Sequence, residues 1–143
     1  MCLASKNRNN KPSIAEEDIE VYKVIKRIKS FHICEYNIEY FEKYTAPYHP
    51  EFEYNDLNGL YFERDFNKNQ VVPWDEIKYG FHSFKNYNDA VKEKDYFNKY
   101  FKDNSGVEYE IVPCIIPKGT RYYEGYYYHV IECYCSEKIK LEY

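Results

Sequence analysis

The absence of several sequence features excludes whole classes of protein. No apolar run approaches the roughly 18 residues that a membrane helix needs, and no secretory signal stands at the start. Five cysteines are an odd number, and nothing indicates an oxidising compartment, so a disulfide framework is not expected. The 143 residues contain no linker long enough for a domain boundary. We therefore expect one intracellular domain.

Small and aliphatic residues are scarce as well. Four leucines and four alanines leave much of any core to nine phenylalanines and 19 tyrosines. Tyrosine offers a large contact area with a polar tip, which favours it at recognition surfaces. The same excess also accompanies an AT-rich coding sequence, which 16 lysines against four arginines and 12 asparagines would fit. The clustering of tyrosines is therefore more informative than their number.

Charge is divided unevenly along the chain. Residues 1–30 carry seven basic and four acidic side chains, whereas residues 31–143 carry 13 and 20. The acidic-aromatic segment, residues 35–65, holds eight carboxylates, two basic residues and nine aromatic residues. It suits docking into a basic groove, but it equally suits a sheet with aromatic inner and acidic outer faces. Its candidate partner-binding residues are Glu35, Glu39, Tyr40, Glu51, Glu53, Tyr54, Asp56 and Tyr61.

The hydrophobic pattern predicts an α+β fold, a mostly antiparallel β-sheet packed by one main helix. The helix is predicted over about 87–102, with Asn86 as its cap and an apolar stripe on one side. Residues 20–28 fit a helix or a strand, and their β-branched content favours the strand. Residues 1–13 are predicted as a flexible basic arm and residues 14–143 as one domain. Further strands are predicted over 31–44, over 52–62 with a turn at Asn58-Gly59, over 80–84 and 107–116, and in a terminal hairpin of 122–135 and 139–143.

Two short elements carry residue types that suit a nucleotide site. Gly80–Phe84 offers His82 and Ser83 at the end of a strand. The glycine-bounded turn that follows residue 116 offers side chains for phosphate, base and ribose. Neither element matches a known phosphate-binding loop, and glycine and proline also shape a plain strand–turn–strand. In the turn, Lys118 and Arg121 would hold phosphate, Tyr122 or Tyr123 would stack on a base, and Glu124 would polarise a ribose hydroxyl.

The remaining candidates for chemistry are cysteines and a histidine. Removal of Met1 would make Cys2 an N-terminal nucleophile. Cys2 lies in the predicted flexible arm, however, which favours an ordinary thiol. His129, Cys133 and Cys135 share one face of a strand by their even spacing. A Cys-x-Cys pair chelates a single ion poorly, and buried thiols explain the pattern as well. We expect no metal and no cofactor.

Four stretches together resemble a family of small proteins of bacterial phages and mobile elements. They are MCL at 1–3, AEEDI with VYKV at 15–24, GFHSF at 80–84 and CIIPKGTRYYEG at 114–125. The resemblance implies a mobile-element setting in the cytoplasm of a bacterial host, where small proteins often inhibit host defence. A fainter resemblance, to ADP-ribosyltransferase-like folds, has its Ser-Thr-Ser element reduced to Ser83.

Three functions follow from these observations. The leading hypothesis is a non-enzymatic, anti-CRISPR-like inhibitor, whose acidic-aromatic segment occupies the basic nucleic-acid groove of a host protein. The first alternative is an RNA or small-nucleotide binding protein that uses the basic arm, Lys118 and Arg121. The second alternative is an ADP-ribosyltransferase-like enzyme, which requires His82 or Ser83 within about 15 Å of Glu124.

Overall fold

One antiparallel sheet and one helix make up the described part of the chain. The computed structural model describes residues 3–5, 12–33, 38–45, 58–63, 76–77, 80–100, 107–127 and 130–142. Eleven strands lie in these ranges, in the order β5-β11-β8-β3-β7-β10-β9-β1-β6, with β4 beside β3 and β2 beside β9. The predicted α+β fold is thus confirmed. The elements are β1 (Leu3–Ser5), β2 (Ser13–Ile14), β3 (Ile19–Ile33), β4 (Ile38–Thr45), β5 (Asn58–Glu63), β6 (Glu76–Ile77), β7 (Phe81–Phe84), α1 (Tyr87–Tyr100), β8 (Val107–Ile116), β9 (Arg121–Tyr127), β10 (Ile131–Ser136) and β11 (Lys138–Glu142).

The long strand β3 organises the sheet. Its first ten residues, 19–28, pair with β8, and residues 26–33 pair with β4 on the opposite edge. The β-branched residues of β3 and β8 explain this choice, because branched side chains pack well on a pleated surface. The predicted strand at 20–28 is therefore confirmed, and β8 lies between β3 and β11 as a central strand.

The helix α1 begins where the sequence predicts it. The carbonyl of Asn86 accepts the N–H of Ala90 at 3.3 Å and so closes the first turn. Ala90 and Phe97 are buried on the sheet side, where the Phe97 ring stacks on Tyr109 with centroids 4.9 Å apart. Within the described residues, no helix combines the length and the apolar character needed to cross a membrane.

The two faces of the sheet carry separate clusters of buried side chains. Val24 points towards α1, whereas its neighbours Val21, Lys23 and Ile25 point to the opposite face, since successive side chains of a strand alternate. We call the side covered by α1 the convex face and the opposite side the concave face. The convex cluster is Val24, Phe84, Ala90, Phe97, Tyr109, Tyr123, Tyr127, Cys133 and Cys135. The concave cluster is Ala15, Val21, Ile25, Phe81, Val112, Cys114, Ile116, Tyr134, Ile139 and Leu141.

A one-residue connection requires the sheet to curl. Glu137 alone joins β10 to β11, so the Cα atoms of Ser136 and Lys138 lie within about 7.6 Å of each other. Along the sheet, however, β7, β3 and β8 separate these two strands, which would span about 19 Å if the sheet were flat. The sheet therefore bends round its concave face, which buries the concave cluster without a covering helix from the described residues.

Two of the predicted turns are wrong, and one segment differs from its prediction. The terminal hairpin does not form, because β10 pairs with β9 and β7 whereas β11 pairs with β8 and β5. Asn58-Gly59 lies inside β5, opposite β11, and is no hairpin turn there. Within the predicted flexible arm, Leu3 pairs with β6, and Ala4, Ser5 and Ser13 pair with β9, so these positions belong to the sheet.

Candidate functional site

Four polar side chains form one cross-strand row on the concave face. Tyr22 pairs with Phe84, which places Lys23 of β3 next to Ser83 of β7. Ser83 lies opposite Tyr134, and Tyr134 lies opposite Glu124. Adjacent strands are about 4.8 Å apart, so Ser83 and Glu124 are about 10 Å apart. We call Lys23, Ser83, Tyr134 and Glu124 the concave row.

A second row beside it adds a hydroxyl and an aromatic ring. Ser136 lies opposite Phe81 on one side and opposite Tyr122 on the other. The rings of Tyr122 and Tyr134 meet edge to face, with centroids 5.7 Å apart and planes at 70°. Burial decreases across the two rows, from fully buried Ser83 and Ser136 to exposed Glu124. The concave face is thus closed near β7 and opens to solvent at β9.

The closed end buries two hydroxyl groups that have no hydrogen-bond partner in the described part of the chain. Ser83 and Ser136 are each 0% exposed, and neither Oγ has a hydrogen-bond partner within the described ranges. Lys23 is only 8% exposed, and its Nζ donates to the carbonyl of His82 at 2.6 Å. A buried hydroxyl without a partner costs about 1–3 kcal/mol. Two such groups in one place are therefore unfavourable for the described part of the fold.

Carboxylates surround the open end. Burial raises the pKa of Tyr122, and the negative charges of Glu124 and Glu16 raise it further. Negative charge near a phenol disfavours the phenolate. Tyr122 therefore stays protonated at neutral pH and keeps its hydroxyl as a donor at this end of the site.

The predicted phosphate turn already binds a carboxylate of the chain itself. The backbone N–H of Lys118 donates to Asp18 Oδ1 at 2.8 Å, and the N–H of Gly119 donates to the carbonyl of Ala15 at 2.8 Å. Gly119 has φ +86°, a conformation that glycine adopts without strain. The segment around Ala15 thus supports the turn, and Asp18 occupies a donor that a phosphate would otherwise use.

Arg121 is likewise held by an acidic neighbour. Its backbone N–H and its Nε each donate to a Glu137 carboxylate oxygen at 3.0 Å, and Nη2 lies 2.8 Å from Oε2. Burial alone would raise the pKa of Glu137, but the hydrogen bonds and charge of Arg121 outweigh it and hold that pKa below its ordinary value. The pair fixes the one-residue link between β10 and β11 to the start of β9.

The structure brings together only part of the predicted nucleotide site. Ser83, Tyr122 and Glu124 share the concave face, whereas His82 and Tyr123 lie on the convex face because they alternate with them. Ser83 and Glu124 stay within the 15 Å limit set above, but His82 points away from Glu124.

The structure adds three concave residues that the sequence did not indicate as candidates. They are Lys23, Tyr134 and Ser136. One sequence pattern could have pointed to Lys23: it is a lysine in the middle of the strand-forming run Val21–Ile25.

The candidate partner-binding residues fall partly within the described chain. Glu39 and Tyr40 lie in β4. Tyr61 lies in β5, which β3, β8 and β11 separate from β4. The interpretation of this segment as a partner surface stays a prediction. Its other candidates, Glu35, Glu51, Glu53, Tyr54 and Asp56, lie outside the described residues.

Three thiols are buried in the two cores. Burial raises the pKa of Cys114 and of Cys133 to about 12 each, so both stay protonated at neutral pH. Cys135 is 0% exposed and forms no disulfide bond. Among the described residues, no group of three His, Cys, Asp or Glu side chains is placed to bind a metal ion. His129 and Cys2 lie outside those residues.

The comparisons with known proteins give no match. No family model, no curated protein and no solved structure matches the chain.

Proposed function

We propose that this protein is a non-enzymatic inhibitor that binds in the basic, nucleic-acid-handling groove of a host protein. The observation that carries the proposal is the position of β4, which lies at one end of the acidic-aromatic segment. Within the described ranges, β4 and the second half of β3 form a two-stranded ribbon that continues past the end of β8.

The length of the ribbon follows from the strand registers. Val107, the first residue of β8, pairs with Ile28, so residues 29–33 extend beyond β8 while they pair with β4. Five residues of strand span about 17 Å. Two strands alone are marginally stable in water. A ribbon of this kind therefore gains stability when a partner covers it.

The base of the ribbon is tied to the sheet. Arg27 forms ion pairs with Glu108 and with Glu110 of β8, the second with 2.9 Å between Nη2 and Oε1. The side chains of Arg27 and Glu110 are 19% and 23% exposed, so water screens this pair less than a surface pair. The sheet thus holds the ribbon at the end next to Arg27.

The charge of the segment favours a basic partner. Eight carboxylates and two basic residues give residues 35–65 a net charge of −6. A segment with this charge repels phosphate and attracts a groove lined by lysine and arginine. The resemblance to phage and mobile-element proteins supports the setting, which is inhibition of a defence system in the bacterial cytoplasm.

Affinity capture from the bacterial host, with and without nuclease, tests this function. We expect a protein partner that remains after nuclease treatment, dissociates at high salt and crosslinks to the ribbon. Glu39→Gln and the Glu51/Glu53/Asp56 triple change to Gln and Asn should weaken its capture, whereas Tyr96→Phe on α1 should not. Capture that high salt and both acidic changes leave unaltered would refute the proposal.

A further inference from the structure

We propose that the open end of the concave face binds an uncharged ring with neighbouring hydroxyl groups, as found in a nucleoside or a sugar. This site is separate from the ribbon and does not depend on the proposed function. It rests on three observations: the two unsatisfied hydroxyls, the aromatic wall, and the arrangement of charge at the rim.

The unsatisfied hydroxyls lie at the closed end of the site. Ser83 and Ser136 both point to the concave face, and they lie diagonally across β7 and β10. Each is fully buried, with no hydrogen-bond partner for its Oγ among the described residues. Each hydroxyl can donate one hydrogen bond and accept others. A ligand hydroxyl that reaches them, directly or through a water molecule, would satisfy both groups.

Tyrosines line the way from these hydroxyls to solvent. Tyr134 and Tyr122 stand edge to face between the buried serines and the rim, and Tyr126 follows on the same face of β9. Tyr134 is 7% exposed, whereas Tyr126 is 36% exposed. Flat rings with polar tips give both a stacking surface and hydrogen bonds. Glu124, exposed between Tyr122 and Tyr126, supplies a charged acceptor for hydroxyl groups.

The charge at the rim favours an uncharged ligand over a phosphorylated one. Asp18 already accepts the Lys118 N–H. Arg121 alternates with Tyr122 and so lies on the convex side, where Glu137 binds three of its N–H groups. Glu16 and Glu124 act on Tyr122 as negative charges. A phosphate here would meet carboxylates rather than a basic cradle. The site thus fits the ribose and base of a nucleoside, or a sugar ring, without a phosphate.

The experiment uses the full chain, with chemical-shift mapping and calorimetric titration. The probes are adenosine, cytidine, glucose and adenosine 5′-monophosphate. We expect saturable binding of either the nucleosides or glucose, with shifts at β9 and β10. The monophosphate should bind about tenfold more weakly than adenosine if nucleosides are the ligand class.

Matched variants separate binding from folding. Glu124→Gln and Ser83→Ala should each weaken binding by about tenfold, because each removes a hydrogen bond to the ligand. Ser83→Ala removes an unsatisfied group, so the protein should still fold, with an unchanged or higher Tm. Tyr96→Phe on α1 is the control and should bind as the parent does.

Three results would overturn the proposal. They are the absence of saturable binding for both nucleosides and glucose, binding that neither Glu124→Gln nor Ser83→Ala weakens, and a monophosphate that binds more tightly than adenosine. None of these results bears on the ribbon, whose test is the capture of a protein partner. Failure of the ligand site and failure of the proposed inhibitor function are therefore distinguishable.

Discussion

The two faces of the sheet are buried by different means and hold different chemistry. The convex face is covered by α1, and its buried cluster consists of apolar, aromatic and thiol side chains, with Glu93 of α1 also buried. The concave face is closed by the curl of the sheet, and it buries Lys23, Ser83 and Ser136 among its apolar residues. In this protein the helix covers the convex cluster, whereas the concave face opens to solvent at β9. We therefore expect the packing of α1 on the convex face to stabilise the fold, and the ligand proposed above to bind at the concave face.

Breaking the packing of the convex face should give the largest loss in the free energy of unfolding. Phe97→Ala removes a buried ring that stacks on Tyr109, and we expect a loss of about 3–5 kcal/mol in the free energy of unfolding. Denaturant titration measures this loss. Tyr96→Ala, on the exposed side of the same helix, should cost well under that amount. Equal losses in the two variants would contradict the assignment of α1 as a packing element.

The concave face should respond in the opposite direction when its buried polar group is removed. Ser83→Ala should leave the free energy of unfolding unchanged or raise it by up to about 1–3 kcal/mol, because the unsatisfied Oγ is lost. The same titration measures it, with Thr120→Ala, another buried hydroxyl residue, for comparison. A clear loss of stability in Ser83→Ala would mean that the hydroxyl has a structural partner.

The Arg121–Glu137 pair fixes the link between β10 and β11 to the start of β9. It should make the free energy of unfolding depend on pH in the acidic range. The pKa of Glu137 lies below its ordinary value of 4.5, so the folded state binds its proton more weakly than the unfolded chain does. The stabilisation that the Glu137 carboxylate gives the folded state is therefore fully present above pH 4.5, and it is lost as the pH falls through the lowered pKa. Glu137→Gln should remove about 1 kcal/mol or less at neutral pH and reduce the acid dependence.

Thermal unfolding across acidic pH checks this expectation. Glu142→Gln is the control, because its carboxylate lies 3.8 Å from Lys140 in a longer and more exposed pair. An acid dependence identical in the parent and in Glu137→Gln would contradict the role given to the pair.

The smallest expected effect concerns the buried thiols, which should not react with an alkylating reagent in the folded protein. Because burial raises the pKa of Cys114 and Cys133 to about 12, neither should be alkylated in the native protein at neutral pH. Cys135, which lies two residues after Cys133 and is fully buried, should behave in the same way. Mass spectrometry after iodoacetamide treatment, before and after unfolding, measures this. Native labelling of Cys133 at the unfolded rate would show that α1 opens readily.

Local patterns predicted the elements well, but they did not predict which strands meet. The helix at 87–100 follows from its apolar stripe and from Asn86, and β3 and β8 follow from their β-branched residues. The terminal hairpin was wrong because a three-residue link between two strand patterns favours a hairpin, whereas β11 finds its partners far away in the chain.

The same distinction holds for the candidate site. Ser83, Tyr122 and Glu124 were predicted from residue type, and their common face became evident only from the strand registers. Lys23 and Tyr134 were missed, because a lysine or tyrosine in a strand is ordinarily read as a side chain at the surface. Their burial depends on the curl, which arises from contacts distant in sequence.

The short link at Glu137 also constrains the order in which the chain folds. The strand after it must enter between β8 and β5, while the strand before it lies between β7 and β9. These places exist only after chain segments distant in sequence have met, and pairings of that kind slow folding. We therefore expect the last five residues of the sheet to join late, so that β11 completes the closure instead of starting it.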